Sequence, residues 1–415
     1  MKDHYQNRGA GQVTIGLPAA AEVTPSQRSE RIRYAIRDIL SVADEARAAG
    51  KELLPLNIGD PIAFDFSTPR HIIEATYQAM LAGHTGYAPS GGLPEAIDAI
   101  HREASRKGIR NIQDIFITSG VSEGIEIAFA ALLDTGENIL IPSPGYPLFE
   151  ATLAKLGCEA IHYQLDEENN WLPDLSEMAE LVNGRTRGIV VINPNNPTGA
   201  IYPPEILKGI LELTARHGLV AICDEIYSKL LLDSQEHVSL ASLAPEQPVI
   251  TFNALSKAYL VPGFRIGWGI LTGEERQVAD YREAIAKMLR VRLCANHPEQ
   301  YAIRPALEGD QTHIQVMIEK LRRRRDLTVS LLNSIPNIRC FTPQAAFYAF
   351  PRLEIDRPDQ EFVADLIRET GVVVVPGSGF GQAPGSKHFR MVFLPPEDSL
   401  RKALNRIGEF SRRWH

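Results

Sequence analysis

The sequence predicts an α/β fold: a buried, mainly parallel sheet followed by a smaller α+β region. Two patterns carry this. From about residue 112 short β-rich runs alternate with helical segments, and after about residue 275 the alternation gives way to a long helical stretch followed by scattered strands. A third pattern bears on function, because five successive strands end in turn residues joined by hydrogen-bonding or reactive side chains.

The β-rich runs are DIFIT (114–118), NILIP (138–142), GIVVI (188–192), LVAIC (219–223) and VITFN (249–253), separated by segments such as VSEGIEIAFAALL and PEILKGILELTARHG. Strands this short, joined by helices this long, need crossover connections, which gives a parallel sheet buried on both faces. Helical character with mixed charge appears around Arg282 to Ile285 and runs on to Leu332. β character returns in FYAF (347–350), then a helix near 360–369, VVVVP (372–376) and FRMVFL (389–394), which reads as a smaller domain packed on the first. There is no internal repeat and no low-complexity segment.

With 415 residues, of which 44% are hydrophobic, the chain is long enough for a large core and for two or three domains. A net charge of -8 gives no basic field for nucleic acid or an anionic membrane. The one basic run, Arg322 to Arg325, falls in IEKLRRRRDLTVSLL and reads as a solvated helix face. Cys158, Cys223, Cys294 and Cys340 are far apart, which fits a reducing cytosol without disulfides or a zinc knuckle. The histidines show no metal-ligand spacing, so no metal is expected. Residues 1–28 lack the apolar block of a signal peptide and read as a flexible extension, and no stretch approaches the ~20 apolar residues of a membrane span. A soluble, cytoplasmic protein is the expectation.

Ligands of open α/β sheets bind beyond the carboxyl ends of the strands. After DIFIT come Ser119, Gly120, Val121 and Ser122, opening a helix; after NILIP comes SPGYP with Tyr146; after GIVVI comes NPNNPTG with Asn196. After LVAIC comes DEIYS with Asp224 and Tyr227, and after VITFN comes ALSK with Ser256 and Lys257; Arg265 follows in PGFRIG. Singly, each has an ordinary structural explanation: Asp224 as a turn residue, Tyr227 as a packed aromatic, NPNNPTG as a tight loop, Lys257 as a surface lysine, Ser256 as a helix cap. Together they match the needs of pyridoxal phosphate. Lys257 supplies an amine for its aldehyde and a carrier for the proton, and Asp224 a carboxylate for its pyridine nitrogen. Asn196 and Tyr227 supply donors for its ring oxygen, and Tyr146 an aromatic plate. Gly120, Val121 and Ser122 at a helix N-terminus, with Ser256 and Arg265, supply an anion cradle.

At these residues the sequence resembles the class I/II aminotransferases of the aspartate aminotransferase superfamily, fold type I, from about residue 31 to the C-terminus. NPNNPTG, DEIY and SK followed by PGFRIG carry the likeness. LNIGDP, GVSE, RLCAN and HFRMVFLP bring it nearest to bacterial alanine aminotransferases of the glutamate–pyruvate type. The resemblance implies a large domain over 65–305 with a mainly parallel seven-stranded sheet, and a small domain from 29–64 and 306–415. It implies that Arg390 clamps the substrate α-carboxylate, with Asn196 and Gly59 beside the substrate. It further implies a homodimer with shared sites, in which Tyr87 crosses to the partner's phosphate and the segment at Asn296 approaches the neighbouring site.

Substrate choice follows from the same resemblance. The arginine that aspartate-type enzymes use for the side-chain carboxylate falls here on Val291, flanked by Arg290 and Arg292, which argues against a dedicated aspartate enzyme. Tyr34 and Arg37, in YAIR, are expected to cover the substrate, with Arg37 meeting the distal carboxylate of glutamate. The expected reaction moves an amino group between L-alanine and 2-oxoglutarate. The alternatives are an aminotransferase for valine, methionine or aromatic donors, or a pyridoxal-phosphate-dependent C–S β-lyase. A regulator with an aminotransferase-like sensor would need a DNA-binding module, for which the leader is too short. GSGFG (377–381) is expected to form a flexible loop at the substrate mouth.

Overall fold

The computed structural model describes residues 22–32 and 39–414. Tyr34 and Arg37, and most of the 1–28 extension, lie outside the described residues.

The central sheet has β1 (Ile112–Thr118), β2 (Asn138–Ser143), β3 (Glu159–Asp166), β4 (Leu172–Pro173), β5 (Thr186–Ile192), β6 (Val220–Asp224), β7 (Val249–Ala254) and β8 (Gly267–Thr272). Their order across it is β1-β8-β7-β6-β5-β2-β3-β4. The pairs β2–β3, β2–β5, β5–β6 and β6–β7 are parallel, while β8 runs antiparallel between β1 and β7. The sheet thus matches the seven strands expected, plus one: β4 is a two-residue edge strand paired antiparallel with β3.

Five of these strands are the apolar runs legible in the sequence, and burial on both faces explains why. In β5, Ile189 and Val191 face one core cluster while Val190 and Ile192 face the other, so no position is left for a polar residue. The two-residue β4, and β3 and β8, carry no such run. β3 mixes polar and apolar residues because it is only partly covered, and β8 carries two glycines. Gly269 is there because a Cβ would sit 2.4 Å from the Phe116 ring on the adjacent strand. Helix α1 (Pro94–Arg106) packs Ala96, Ala99 and Ile100 on one face of the sheet. Helices α2 (Val121–Leu132) and α3 (Glu275–Val291) cover the other through Ile125, Phe129, Ile285 and Leu289.

Chain direction then gathers the site. The parallel strands deliver their carboxyl ends to one edge of the sheet. Because β8 is antiparallel it starts at that edge, with Gly267 opposite both Thr118 and Ala254. The loop between β7 and β8, closed by Leu255 N–H donating to the Ile266 carbonyl at 3.1 Å, therefore carries Lys257 and Arg265 there.

The remaining strands form small sheets. Leu54–Pro55 pairs parallel with Val372–Val373, and Phe389–Val392 lies antiparallel between Tyr348–Ala349 and Val375–Pro376. Helices α4 (Thr312–Asn333), α5 (Asp359–Thr370) and α6 (Glu397–Ser411) pack around them.

The basic run lies on α4, as its periodicity predicts, but it is not a solvated face. Arg324 and Arg325 are 2% and 5% exposed. Arg324 is held by Asp65 at 2.7 Å and by the Leu394 carbonyl, and Arg325 by Asp233 at 2.8 Å and the Pro343 carbonyl at 3.1 Å. Four consecutive helical positions span about 300° of the helix circumference, so the run cannot lie on one exposed face. The four cysteines are free thiols. Among the described residues no helix is long and apolar enough to cross a membrane.

Candidate active site

A cavity of about 140 Å³ opens at the carboxyl edge of the sheet, lined by Val121, Ser122, Tyr146, Asn196, Asp224, Tyr227, Ser256, Lys257, Arg265 and Tyr348, among others. Residues spread over more than two hundred positions of sequence meet there, each at or beyond a strand end.

One end of the cavity is cationic and rich in amide groups. Gly120 caps α2 with φ 81°, and a Cβ on it would lie 2.2 Å from Arg265 Nη2, so only glycine lets the guanidinium come so close. Gly267 plays the matching part, since its Cβ would lie 2.6 Å from the Val121 nitrogen. Arg265 itself has a left-handed backbone, φ 52°, and donates to Ser122 Oγ at 3.2 Å and to the Ser119 carbonyl at 3.3 Å. A helix N-terminus beside a guanidinium is an anion site of phosphate size.

The other groups are titratable and buried. Asp224 ends β6, and its carboxylate accepts from the Ile226 N–H at 3.1 Å. Burial pushes its acid up to about 7, against the pull of that hydrogen bond. Burial likewise pushes the Lys257 ammonium down to about 8; Asp60 opposes the shift, and Arg390 and Arg265 add to it. Lys257 Nζ donates to the Gly59 carbonyl at 2.8 Å. Tyr227 shares a 3.0 Å hydrogen bond with the Tyr348 hydroxyl, and burial holds its phenol well above the ordinary range.

Beside the cavity, Arg390 is 1% exposed. It donates to the Asn57 carbonyl at 2.6 Å and to Asn196 Oδ1 at 3.3 Å, and its guanidinium lies 4.7 Å from the Tyr348 ring and 4.6 Å from the Phe380 ring. Gly59 sits against this group with no room for a side chain, since a Cβ would fall 2.1 Å from the Tyr348 hydroxyl.

The residues present fit pyridoxal phosphate. An anion cradle that a single Cβ would fill, a buried carboxylate and an amine of lowered basicity open on one cavity, and no other common cofactor needs all three.

Comparison with known proteins decides the family. The family model for aminotransferase class I and II matches residues 51–407. The chain belongs to the class I and II aminotransferases. It is 39% identical over 402 residues to the glutamate-pyruvate aminotransferase AlaA of Escherichia coli K12, covering 95% of this chain and 99% of that protein. It is 39% identical over 396 residues to an alanine aminotransferase of Mycobacterium bovis, covering 93% and 92%. Among solved structures, an alanine aminotransferase from Pyrococcus furiosus superposes with a TM-score of 0.90 at 39% identity, over 94% of this chain and all of that one. Enzymes of this family depend on pyridoxal phosphate and act on amino and oxo acids.

Some aminotransferase residues named from the sequence lie away from the cavity. Tyr87 is 81% exposed, and Asn296 donates to the Phe264 carbonyl at 3.1 Å. Val291 is 84% exposed, and Arg290 and Arg292 pair with Glu283 and Glu123. The structure also adds residues that the sequence did not single out. Tyr348 lies in FYAF, whose pattern marks only a strand, and Asn57 in LNIGDP, whose resemblance points only to Gly59. GSGFG is not a flexible loop but a tight helical turn, Gly377–Phe380, whose Phe380 is buried against Arg390. Nothing local marks these residues, because each reaches the site from a different part of the fold.

Proposed function

We propose that this enzyme transfers an amino group between L-alanine and 2-oxoglutarate, giving pyruvate and L-glutamate in two half-reactions at one site. The observation that carries the proposal is Lys257, an amine of lowered basicity lining the cavity, with Arg390, a buried guanidinium, beside it. The similarity to enzymes named for alanine and for glutamate and pyruvate supports the choice of substrates.

Pyridoxal phosphate, when bound, supplies an aldehyde carbon that takes up the amino group and a ring that delocalises the electron pair left at the substrate α-carbon. Gly120, Val121, Ser122, Ser256 and Arg265 would hold its phosphate, joined by Tyr87 of the partner subunit. Asp224 would meet its ring nitrogen, and a cationic neighbour there would draw the acid back down and keep it ionised. Asn196 and Tyr227 would donate to its ring oxygen, and Tyr146 would cover the ring. Lys257 Nζ moves the proton at the α-carbon, a task for which an amine titrating near 8 is better matched than an ordinary lysine. Arg390 binds the α-carboxylate through its two-pronged face, with Asn196 and Gly59 shaping that end. Arg37, with Tyr34, meets the distal carboxylate of the second substrate. We assign residues 65–305 to a large domain and 29–64 with 306–415 to a small one, in a cytoplasmic homodimer.

The test is an absorbance scan of the holoenzyme before and after L-alanine, without an oxo acid, with pyruvate and ammonia measured in the same tube. Conversion of the cofactor band to that of its amine form, with stoichiometric pyruvate and no ammonia, is expected. Catalytic ammonia release would instead indicate a lyase, and silence toward alanine with a response to valine, methionine or an aromatic donor would reassign the substrate.

A further inference from the structure

Arg390 rests on a turn that is itself held from behind. Phe380, whose ring lies against the Arg390 guanidinium, belongs to the turn Gly377–Phe380. The carboxylate of Asp359, which is 3% exposed, accepts from the Ser378 N–H of that turn at 2.7 Å and from Gln382 Nε2 at 3.1 Å. Asp359 fixes the orientation of the Gln382 amide, because a carboxylate can face only the nitrogen. The Gln382 Oε1 is thereby aimed at His388 Nδ1, 3.1 Å away. His388, 2% exposed and just before the strand Phe389–Val392 that carries Arg390, has its other ring nitrogen 3.1 Å from Glu167 Oε2. Both ring nitrogens therefore meet an oxygen, one from an amide and one from a carboxylate. Arg352 lies 3.6 Å from the same Glu167 oxygen, and the imidazole is stacked flat on Phe350, 4.7 Å between ring centres. Gly377 admits the whole arrangement, since a Cβ there would sit 2.4 Å from Gln382 Oε1 and 2.6 Å from the His388 Cβ.

A chain of this kind is more than the fold needs to close a short turn. It spans from Glu167 at the edge of the central sheet, through His388 and Gln382, to the turn that sets the Phe380 ring. The same turn reaches the site on its other side, where the Gly145 N–H donates to the Phe380 carbonyl at 2.8 Å beside Tyr146. We propose that His388 and Gln382 are positioning residues for substrate binding: they hold Phe380 against Arg390 and so set the affinity of the site for the α-carboxylate that both substrates share. They take no part in proton transfer at Lys257. This rests on the reading of Arg390 as the carboxylate clamp.

The experiment uses holoenzyme carrying Gln382→Met, a half-buried position where the side chain keeps its shape and loses its polar ends, and separately His388→Asn and His388→Phe. KM for L-alanine and for 2-oxoglutarate should rise together, by about tenfold, with kcat and the cofactor absorbance little changed. His388→Asn, which retains a donor, should lie between wild type and His388→Phe. In the half-reaction, the loss should be seen with L-alanine and be absent with L-alaninamide, which has no α-carboxylate; a general loosening of the fold would weaken both. Unchanged KM values in folded, cofactor-loaded Gln382→Met, or an equal loss with alaninamide, would overturn the proposal. Arg390→Lys is measured alongside: if it spares both KM values, the clamp reading is what fails.

Discussion

Lys257 and Asp224 show how one physical cause produces two opposite effects at the scale of the residue. Burial disfavours whichever form is charged, so it lowers the ammonium to about 8 and raises the carboxylic acid to about 7. Burial shifts other groups of this protein too, Lys107 among them, but at the cavity an acid and an amine shifted toward neutral pH stand together, which suits proton transfer. The shift has a measurable sign. Only the neutral amine condenses with an aldehyde, and the neutral fraction grows as pH rises toward 8. The uptake rate of pyridoxal phosphate by cofactor-free protein should therefore climb by about tenfold per pH unit below 8 and level off above it. An ordinary lysine would keep climbing past pH 10, and stopped-flow absorbance across that range separates the two.

At the scale of the element, glycines decide how closely backbone and guanidinium approach. Gly120 stands at the start of α2 in a conformation that side chains rarely adopt, with Arg265 filling the space a Cβ would take. Gly120→Ala should cost about 1–3 kcal/mol of stability through backbone strain, read by denaturant unfolding of the cofactor-free protein. It should also push Arg265 off its contacts to Ser119 and Ser122, and weaken cofactor binding by about tenfold in an equilibrium titration. Loss of stability with undiminished cofactor affinity would place the phosphate elsewhere. The antiparallel strand β8 is the other decisive element: had it run parallel, its entry, and Arg265 with it, would lie at the far edge of the sheet.

Within the whole molecule, Tyr87 stands out as an exposed aromatic outside its own chain's cavity. The shared sites of the proposed homodimer would account for that position. Mixing the inactive Lys257→Ala protein with a weakly active Tyr87→Ala protein should then restore activity. The hybrid dimer contains one site built from an intact Lys257 of one chain and an intact Tyr87 of the other. No gain on mixing, under conditions where subunits exchange, would show that Tyr87 serves no neighbouring site.

The sequence by itself determined the strand ends. Asn196, Asp224, Tyr227, Ser256 and Lys257 each follow an apolar run, and a parallel sheet must bring such positions to one edge, so five strands of the sheet and most of the cavity lining could be read in order along the chain. The buried arginines of α4, the ring of Phe380 and the hydroxyl of Tyr348 could not. Their surroundings are made by contacts between segments hundreds of residues apart, such as Asp65 with Arg324 or Gly59 with Tyr348. Local pattern records a residue's own periodicity and turn chemistry, whereas the partner that buries a charge or plates a guanidinium is set only when distant strands pair, and tertiary structure alone decides it.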